Sequence, residues 1–392
     1  MKLSSKAQEI HCGTQQAMQK YASSHPEYQQ NRAAIESQIQ AFIAQGKHKN
    51  IQQQIVIPVV VHVVYNTDEE NIPDEYITSQ IDALNADYGL TNSDQNQIPL
   101  PFQSAAVNCD ISFCLAITDP NGNPSNGITR TFTDRIDFNT DDAMKNSTTG
   151  GINPWPSESY LNIWVCDLAQ GFLGYTYQPG ASSEIDGVVI DCKHFGVNGT
   201  FGGNYNKGRT TTHEVGHWIN LYHPWGQGGS NPDCSDDDFV DDTPLSPGPN
   251  YNCANFPNNA SAACNNLPYG DMFMNFMDYS YDNCLLLFTQ GQKDRMVAAI
   301  STARSGLLSS GGCQVGIDSP LNNLTSLFPN PSNNQISITS QGGKAEIIDL
   351  KGIFQKSVNL NQGQTLITVS DLASGIYFLK TDRGLRTKLI VD

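Results

Sequence analysis

Apolar residues in this chain fall in short runs, and their spacing changes character twice. Residues 1–50 are polar, rich in Gln, Lys and Ala, and only 30–44 shows helical spacing, with Ile35, Ile39, Phe42 and Ile43 on one face. One apolar face cannot close a core, so this leader is expected to pack on the next domain or to remain an unstructured tail. The run Ile55–Tyr65 is short and dominated by Val, which reads as a buried strand. Further strands are expected over 106–117, 160–168 and 185–191, with helices over 78–88, 209–221 and 289–305. A mixed sheet followed by a stretch of turns, Asp pairs and cysteines fits an α+β body over 51–312. From 313 onward Ser, Asn and Gly punctuate alternating runs at 335–340, 345–350, 365–369, 376–380 and 385–391. Strands so short and closely spaced predict a small all-β sandwich over 313–392. No stretch of 18 apolar residues exists, so no membrane-spanning helix is expected.

Composition narrows the class. With 392 residues the chain is too long for one ordinary core. A net charge of −17 repels nucleic acid and anionic membrane and suits calcium, which needs clustered carboxylates. The ten cysteines include no Cys-x-x-Cys pair, which argues against a structural zinc cluster and for disulfides in an oxidising compartment. The first residues lack an apolar signal core, so the chain is expected to be an exported one whose signal peptide has been removed.

The strongest chemistry lies in Thr212-His-Glu-Val-Gly-His-Trp-Ile-Asn-Leu-Tyr-His223. His213 and His217, four apart on a helix, put both imidazoles on one face. Glu214 is offset so that it reaches a water on the metal and takes its proton without being a ligand. His223 supplies the third ligand that a catalytic zinc requires while one place stays open. The helix must stop sharply for His223 to turn back, and Asn220 is one of the few non-glycine residues that tolerate the left-handed corner this needs.

This motif resembles the metzincin zinc signature with Asn220 in its usual Gly position, and its flanks, Arg209 through His223, resemble the pappalysin family. The resemblance spans about 55–305 and implies a metzincin-type catalytic domain with one catalytic zinc ion. It makes Met277 the methionine of the turn below the zinc, in Asn275-Phe-Met-Asp-Tyr279, and Tyr279 the phenol that stabilises the oxyanion. The Asp-rich loop 233–244 looks like the family's structural calcium site (one ion or more), with the Asp238 side chain and the carbonyls of Val240 and Thr243 as ligands, and Gln227 as an additional candidate. The family pattern pairs Cys234 with Cys264 and Cys253 with Cys284; among the remaining cysteines Cys166 with Cys192 is the first expectation. Asp282 matches the residue at the base of the S1′ pocket and implies cleavage before Arg or Lys. Cys12, in His11-Cys12-Gly13-Thr14, resembles a latency switch whose thiolate fills the open zinc position. Lys47, Lys49 and Arg32 are then candidate sites of self-processing. The last 75 or so residues, with Leu327-Phe-Pro-Asn-Pro and Asp371-Leu-Ala-Ser-Gly-Ile-Tyr-Phe, resemble the C-terminal sorting domain of the bacterial type IX secretion system.

The sequence thus reads as a secreted or cell-surface, monomeric zinc endopeptidase made as a latent precursor, acting on protein and peptide substrates and exported by the type IX machinery. The rival is a non-catalytic surface adhesin that keeps zinc as structure. Three histidines beside a glutamate favour an open catalytic site over a closed structural one.

Overall fold

A computed structural model of the chain describes residues 10–51, 54–197, 203–227, 234–262, 264–313, 325–349, 353–381 and 386–391. It divides into two compact units, 1–313 and 314–392.

The leader belongs to the first unit. It contributes a short strand β1 (Ile10–Cys12), a polar helix α1 (Thr14–Ser24) and a longer helix α2 (Pro26–Ala44). α2 starts earlier than its apolar spacing suggests because Pro26 sits at the first helical position, where its missing N–H costs nothing. Its apolar face covers part of the body: Ile39 is wholly buried against Ala298 and Ala299, with Ile35, Phe42 and Ile43 beside it.

The body follows as β2 (Ile55–Tyr65), α3 (Asp74–Tyr88), β3 (Ile111–Leu115), β4 (Ile128–Phe132), β5 (Leu161–Cys166), β6 (Phe172–Thr176), β7 (Val188–Asp191), α4 (Arg209–Trp218) and α5 (Gln290–Thr302). The strands form one twisted sheet in the order β1-β6-β7-β5-β2-β3, and β4 extends the β3 side of β2. Every pairing is parallel except β6 on β7. β2 is nearly all Val and Ile because both of its faces are covered. On one face Val59, Val61 and Val63 join Leu84 and Trp218 in the main core; on the other Val64 packs near Trp164, Tyr175 and Phe138. Each such buried side chain contributes about 1.5–3 kcal/mol over its exposed state.

Three disulfides form: Cys234–Cys264, Cys253–Cys284 and Cys114–Cys313. The first two are the pairs implied by the family pattern. Cys166 and Cys192 remain free thiols, against expectation. The reason is register: Cys166 stands opposite Asp191 in the β5–β7 ladder, so Cys192 points to the other face of the sheet. Cys166 accordingly lies in one core cluster and Cys192 in the other.

Among the described residues the second unit is all β: β8 (Thr325–Phe328), β9 (Gln335–Asp349), β10 (Phe354–Thr368), β11 (Gly375–Thr381) and β12 (Arg386–Val391). Its strands are antiparallel and hydrogen-bonded in one continuous set through the long β9–β10 hairpin. Alternate residues such as Ile336, Ile338, Ile347, Leu379 and Leu389 enclose its own core.

Candidate active site

α4 is buried along its whole length, so its polar residues are present for what they bind. It ends by a left-handed corner: Asn220 takes φ 76°, and the Leu221 amide donates back to the Gly216 carbonyl at 2.9 Å. That corner returns the chain so that His223 faces the helix. The Nε2 atoms of His213, His217 and His223 then lie 3.0, 3.1 and 3.3 Å apart. Ligands at about 2.0–2.1 Å from one tetrahedral metal ion are separated by about 3.3 Å, so these three nitrogens suit a shared ion. Each of two rings is aimed from behind: His213 Nδ1 meets the Phe276 carbonyl at 2.8 Å and His217 Nδ1 the Leu221 carbonyl at 2.9 Å. His223 stacks on Trp225 with ring centroids 4.5 Å apart. Burial pushes the His217 pKa down to about 4 and lowers that of His223 as well, which keeps both neutral and fit to ligate.

Beneath the helix, Met277 is wholly buried. Gly216 lets it approach, since a Cβ there would stand 2.5 Å from the Met277 sulfur. The turn is held by Asn275, whose side chain exchanges two hydrogen bonds with Gln292 at 2.8 and 2.9 Å and accepts from the Met277 amide at 2.9 Å. The Tyr279 ring lies 5.7 Å from His213 and 5.0 Å from His223.

The leader enters this centre. β1 adds to the edge of β6 in parallel register, Cys12 opposite Gly174, and the Gly13 amide donates to the Gly174 carbonyl at 2.8 Å. The Cys12 sulfur joins the three histidine nitrogens in one group whose ligand atoms all lie within 4.8 Å of each other. Thr14 Oγ1 donates to Glu214 Oε2 at 2.7 Å and accepts from the Thr176 amide at 2.9 Å. Burial pushes Glu214 up to about 7, with Thr14 and Cys12 hydrogen bonds pulling it back. Cys12, His213, Glu214, Tyr279, Arg209 and Asp282 line one pocket.

Asp282 is 1 % exposed at that pocket, and burial pushes its pKa up to about 6. In the Asp-rich loop, Thr243 Oγ1 meets both Asp238 carboxylate oxygens at 2.8 and 2.9 Å and the Val240 carbonyl at 2.9 Å. Burial raises the Asp238 carboxyl well above the usual range. The Gln227 carbonyl accepts from the leader residue Gln15.

Some residues that build the site were not singled out from sequence. Glu36, Arg295 and Asp94 are polar positions separated by up to 259 residues from their partners, and no local pattern marks them; Arg209 and Thr14 stand in the zinc and Cys12 motifs, whose patterns give them no role. Arg32, taken as a candidate cleavage site, is buried inside α2 and donates to Tyr222 Oη, the Gln178 side chain and the Pro179 carbonyl. Lys47 and Lys49 lie exposed in a short 3₁₀ turn over Lys47–Asn50.

Comparison with known proteins agrees with this geometry. A family profile described as pregnancy-associated plasma protein-A matches residues 141–301, and a secretion system C-terminal sorting domain matches 326–392. An extracellular metalloprotease of Arthroderma otae is 32% identical over 276 residues, covering 68% of this chain and 86% of that protein. Extracellular metalloprotease 1 of Coccidioides posadasii is 30% identical over 280 residues, covering 68% and 85%. A solved promirolysin mutant of Tannerella forsythia is 43% identical with TM-score 0.69, covering 76% of this chain and 97% of that one. Mature mirolysin of the same organism, solved with a cleaved peptide, is 45% identical with TM-score 0.64, covering 69% and 100%. The family implies a metal at the histidine centre, and the tail implies export by type IX secretion to the medium or the cell surface. A metzincin-type body, a metal-suited histidine centre and a sorting tail have one common reading: the chain belongs to the pappalysin family and is a secreted metalloendopeptidase.

Proposed function

We propose that His213, His217 and His223 hold one zinc ion, and that the chain is made as a latent precursor which, once its leader leaves, cleaves peptides before Arg or Lys. The carrying observation is the 3.0–3.3 Å triangle of Nε2 atoms with the Cys12 sulfur beside it. Zinc with three histidine ligands and one open place supplies Lewis acidity to a water and to the scissile carbonyl. Glu214, buried next to the ligands, accepts the proton of the attacking water and passes it to the leaving amine. The Tyr279 hydroxyl donates to the oxygen that gains charge. Asp282 at the pocket wall pairs with a cationic P1′ side chain.

Latency follows from the leader's position. β1 occupies the β6 edge to which an extended substrate would add, Thr14 engages Glu214, and the Cys12 sulfur, within 4.8 Å of the histidine nitrogens, would be the fourth ligand of a zinc held there. That the promirolysin match covers a larger share of the chain than the mature form supports residues 1–50 as the pro-segment ahead of a catalytic domain over 51–312 and a sorting domain over 313–392. The exposed turn with Lys47 and Lys49 suits removal by the enzyme's own specificity. A structural calcium ion is proposed on Asp238 with the carbonyls of Val240 and Thr243, because that carboxylate is buried and, among the described residues, receives neutral donors, Thr243 Oγ1 and the Val240 amide. The test is casein digestion by the processed enzyme with a chelator and after adding zinc back. Activity lost and restored supports the reading; digestion indifferent to both overturns it.

A further inference from the structure

Asp282 lies in a turn with no regular element to aim it, so its direction must come from its partners. Resting on the proposed P1′ reading, we infer that Asp94 is the positioning residue of the S1′ pocket, because it holds the clamp that fixes Asp282. Asp282 Oδ2 accepts the backbone amides of Lys207 at 2.7 Å and Arg209 at 3.4 Å. Those two residues lead into α4, and both of their side chains end on Asp94. Arg209 grips it with two guanidinium nitrogens, at 2.7 and 2.8 Å, and Lys207 Nζ reaches it at 2.9 Å. Arg209 also donates to the Asp282 carbonyl, and Asp87 takes its second guanidinium nitrogen at 3.4 Å. One carboxylate thus anchors both halves of the clamp.

The ion pairs bear on substrate choice: Lys207 pairs with Asp94 and Arg209 with Asp94 and Asp87, so both cationic side chains are engaged by carboxylates other than Asp282. The clamp bonds fall on Oδ2 of Asp282, which leaves its other oxygen for the pocket it lines. If Asp94 loses its charge, the Arg209 guanidinium loses its bidentate partner and is left with Asp87 at 3.4 Å, and Lys207 loses its tether, so the two backbone amides that aim Asp282 into the pocket lose their anchor.

The test uses the full chain after it has shed its leader, with paired peptides carrying Arg or Leu at P1′. For Asp94→Asn, the Arg-to-Leu ratio of kcat/KM is expected to fall about tenfold, the factor for losing one charge-assisted contact. Lys207→Ala keeps the clamping amide but drops one tether, and should lower the ratio by a smaller factor; it decides the question if Asp94→Asn does not fold. A selective parent with an unchanged ratio in the variants overturns the role of Asp94 alone. Equal losses on both peptides with a lower Tm mean that Asp94 only staples the start of α4, and also overturn it. A parent with no preference for Arg overturns the P1′ reading together with this inference.

Discussion

Glu36→Gln in the uncleaved chain should release α2 from the body. Glu36 accepts from both terminal nitrogens of Arg295 at 2.9 Å, from Asn220 Nδ2 at 3.2 Å and from Tyr222 Oη at 3.2 Å. The Arg295 side chain is 2% exposed and that of Glu36 15%, so the pair is shielded from water. Removing one partner of such a pair costs about 3–5 kcal/mol, because the other charge stays buried and uncompensated. That corresponds to about a hundredfold to a few thousandfold in the equilibrium for local opening of α2. Burial alone would raise the Glu36 pKa, but the Arg295 bonds outweigh it and hold it below the ordinary glutamate value. A depressed folded pKa means the stabilisation is fully present above the unfolded pKa, about 4.3, and is lost as pH falls through the folded value. The direct assay is amide hydrogen exchange near neutral pH. In the variant, amides of 26–44 should exchange faster by that factor while those of 209–218 keep their parent rates. Unchanged exchange across α2 would refute the reasoning.

Cys12→Ser should give an uncleaved chain with measurable peptidase activity, because an alcohol is a poorer zinc ligand than a thiolate; equal activity of the two unprocessed forms, or a Cys12 found in a disulfide by thiol titration, rejects the switch. Asp238→Ala should abolish the rise in Tm that calcium gives the parent and open 234–284 to proteolytic nicking; a variant that melts like the parent with and without calcium moves the ion elsewhere. With the Asp282 carboxyl pushed up to about 6 by burial, it is charged above that pH and neutral below it. The preference for Arg over Leu at P1′ should be flat above about pH 7 and fall with acid through 6, and Asp282→Ala should lack both preference and pH dependence. A preference constant down to the ordinary aspartate range contradicts the burial argument.

What the sequence reveals here depends on how local the cause is. β2 forms over the whole expected run because eleven residues of mostly Val and Ile can satisfy themselves only inside a covered sheet. α4 and its corner were readable because ligand spacing, helix period and the left-handed tolerance of Asn220 are short-range facts. α1 was not: Thr-Gln-Gln-Ala-Met-Gln-Lys-Tyr buries only Thr14 and Ala17 and carries no apolar stripe. β1 is three residues long and exists because β6 offers it an edge. β4 lies at the rim of the sheet with Phe132 exposed, so its pattern lacks alternation. The expected strand over 106–117 shrinks to β3 because Cys109 and Asp110 turn in a loop, with Asp110 at φ 54°. The Cys114–Cys313 bridge joins residues 199 apart, which no spacing rule reaches.

The central claim is that Glu214 performs the proton transfers and does not hold the metal. The most direct measurement is zinc content by elemental analysis alongside peptide hydrolysis for Glu214→Ala after leader removal. The account predicts about one zinc per chain and no detectable hydrolysis. Loss of the zinc in that variant, or turnover near that of the parent, would contradict it.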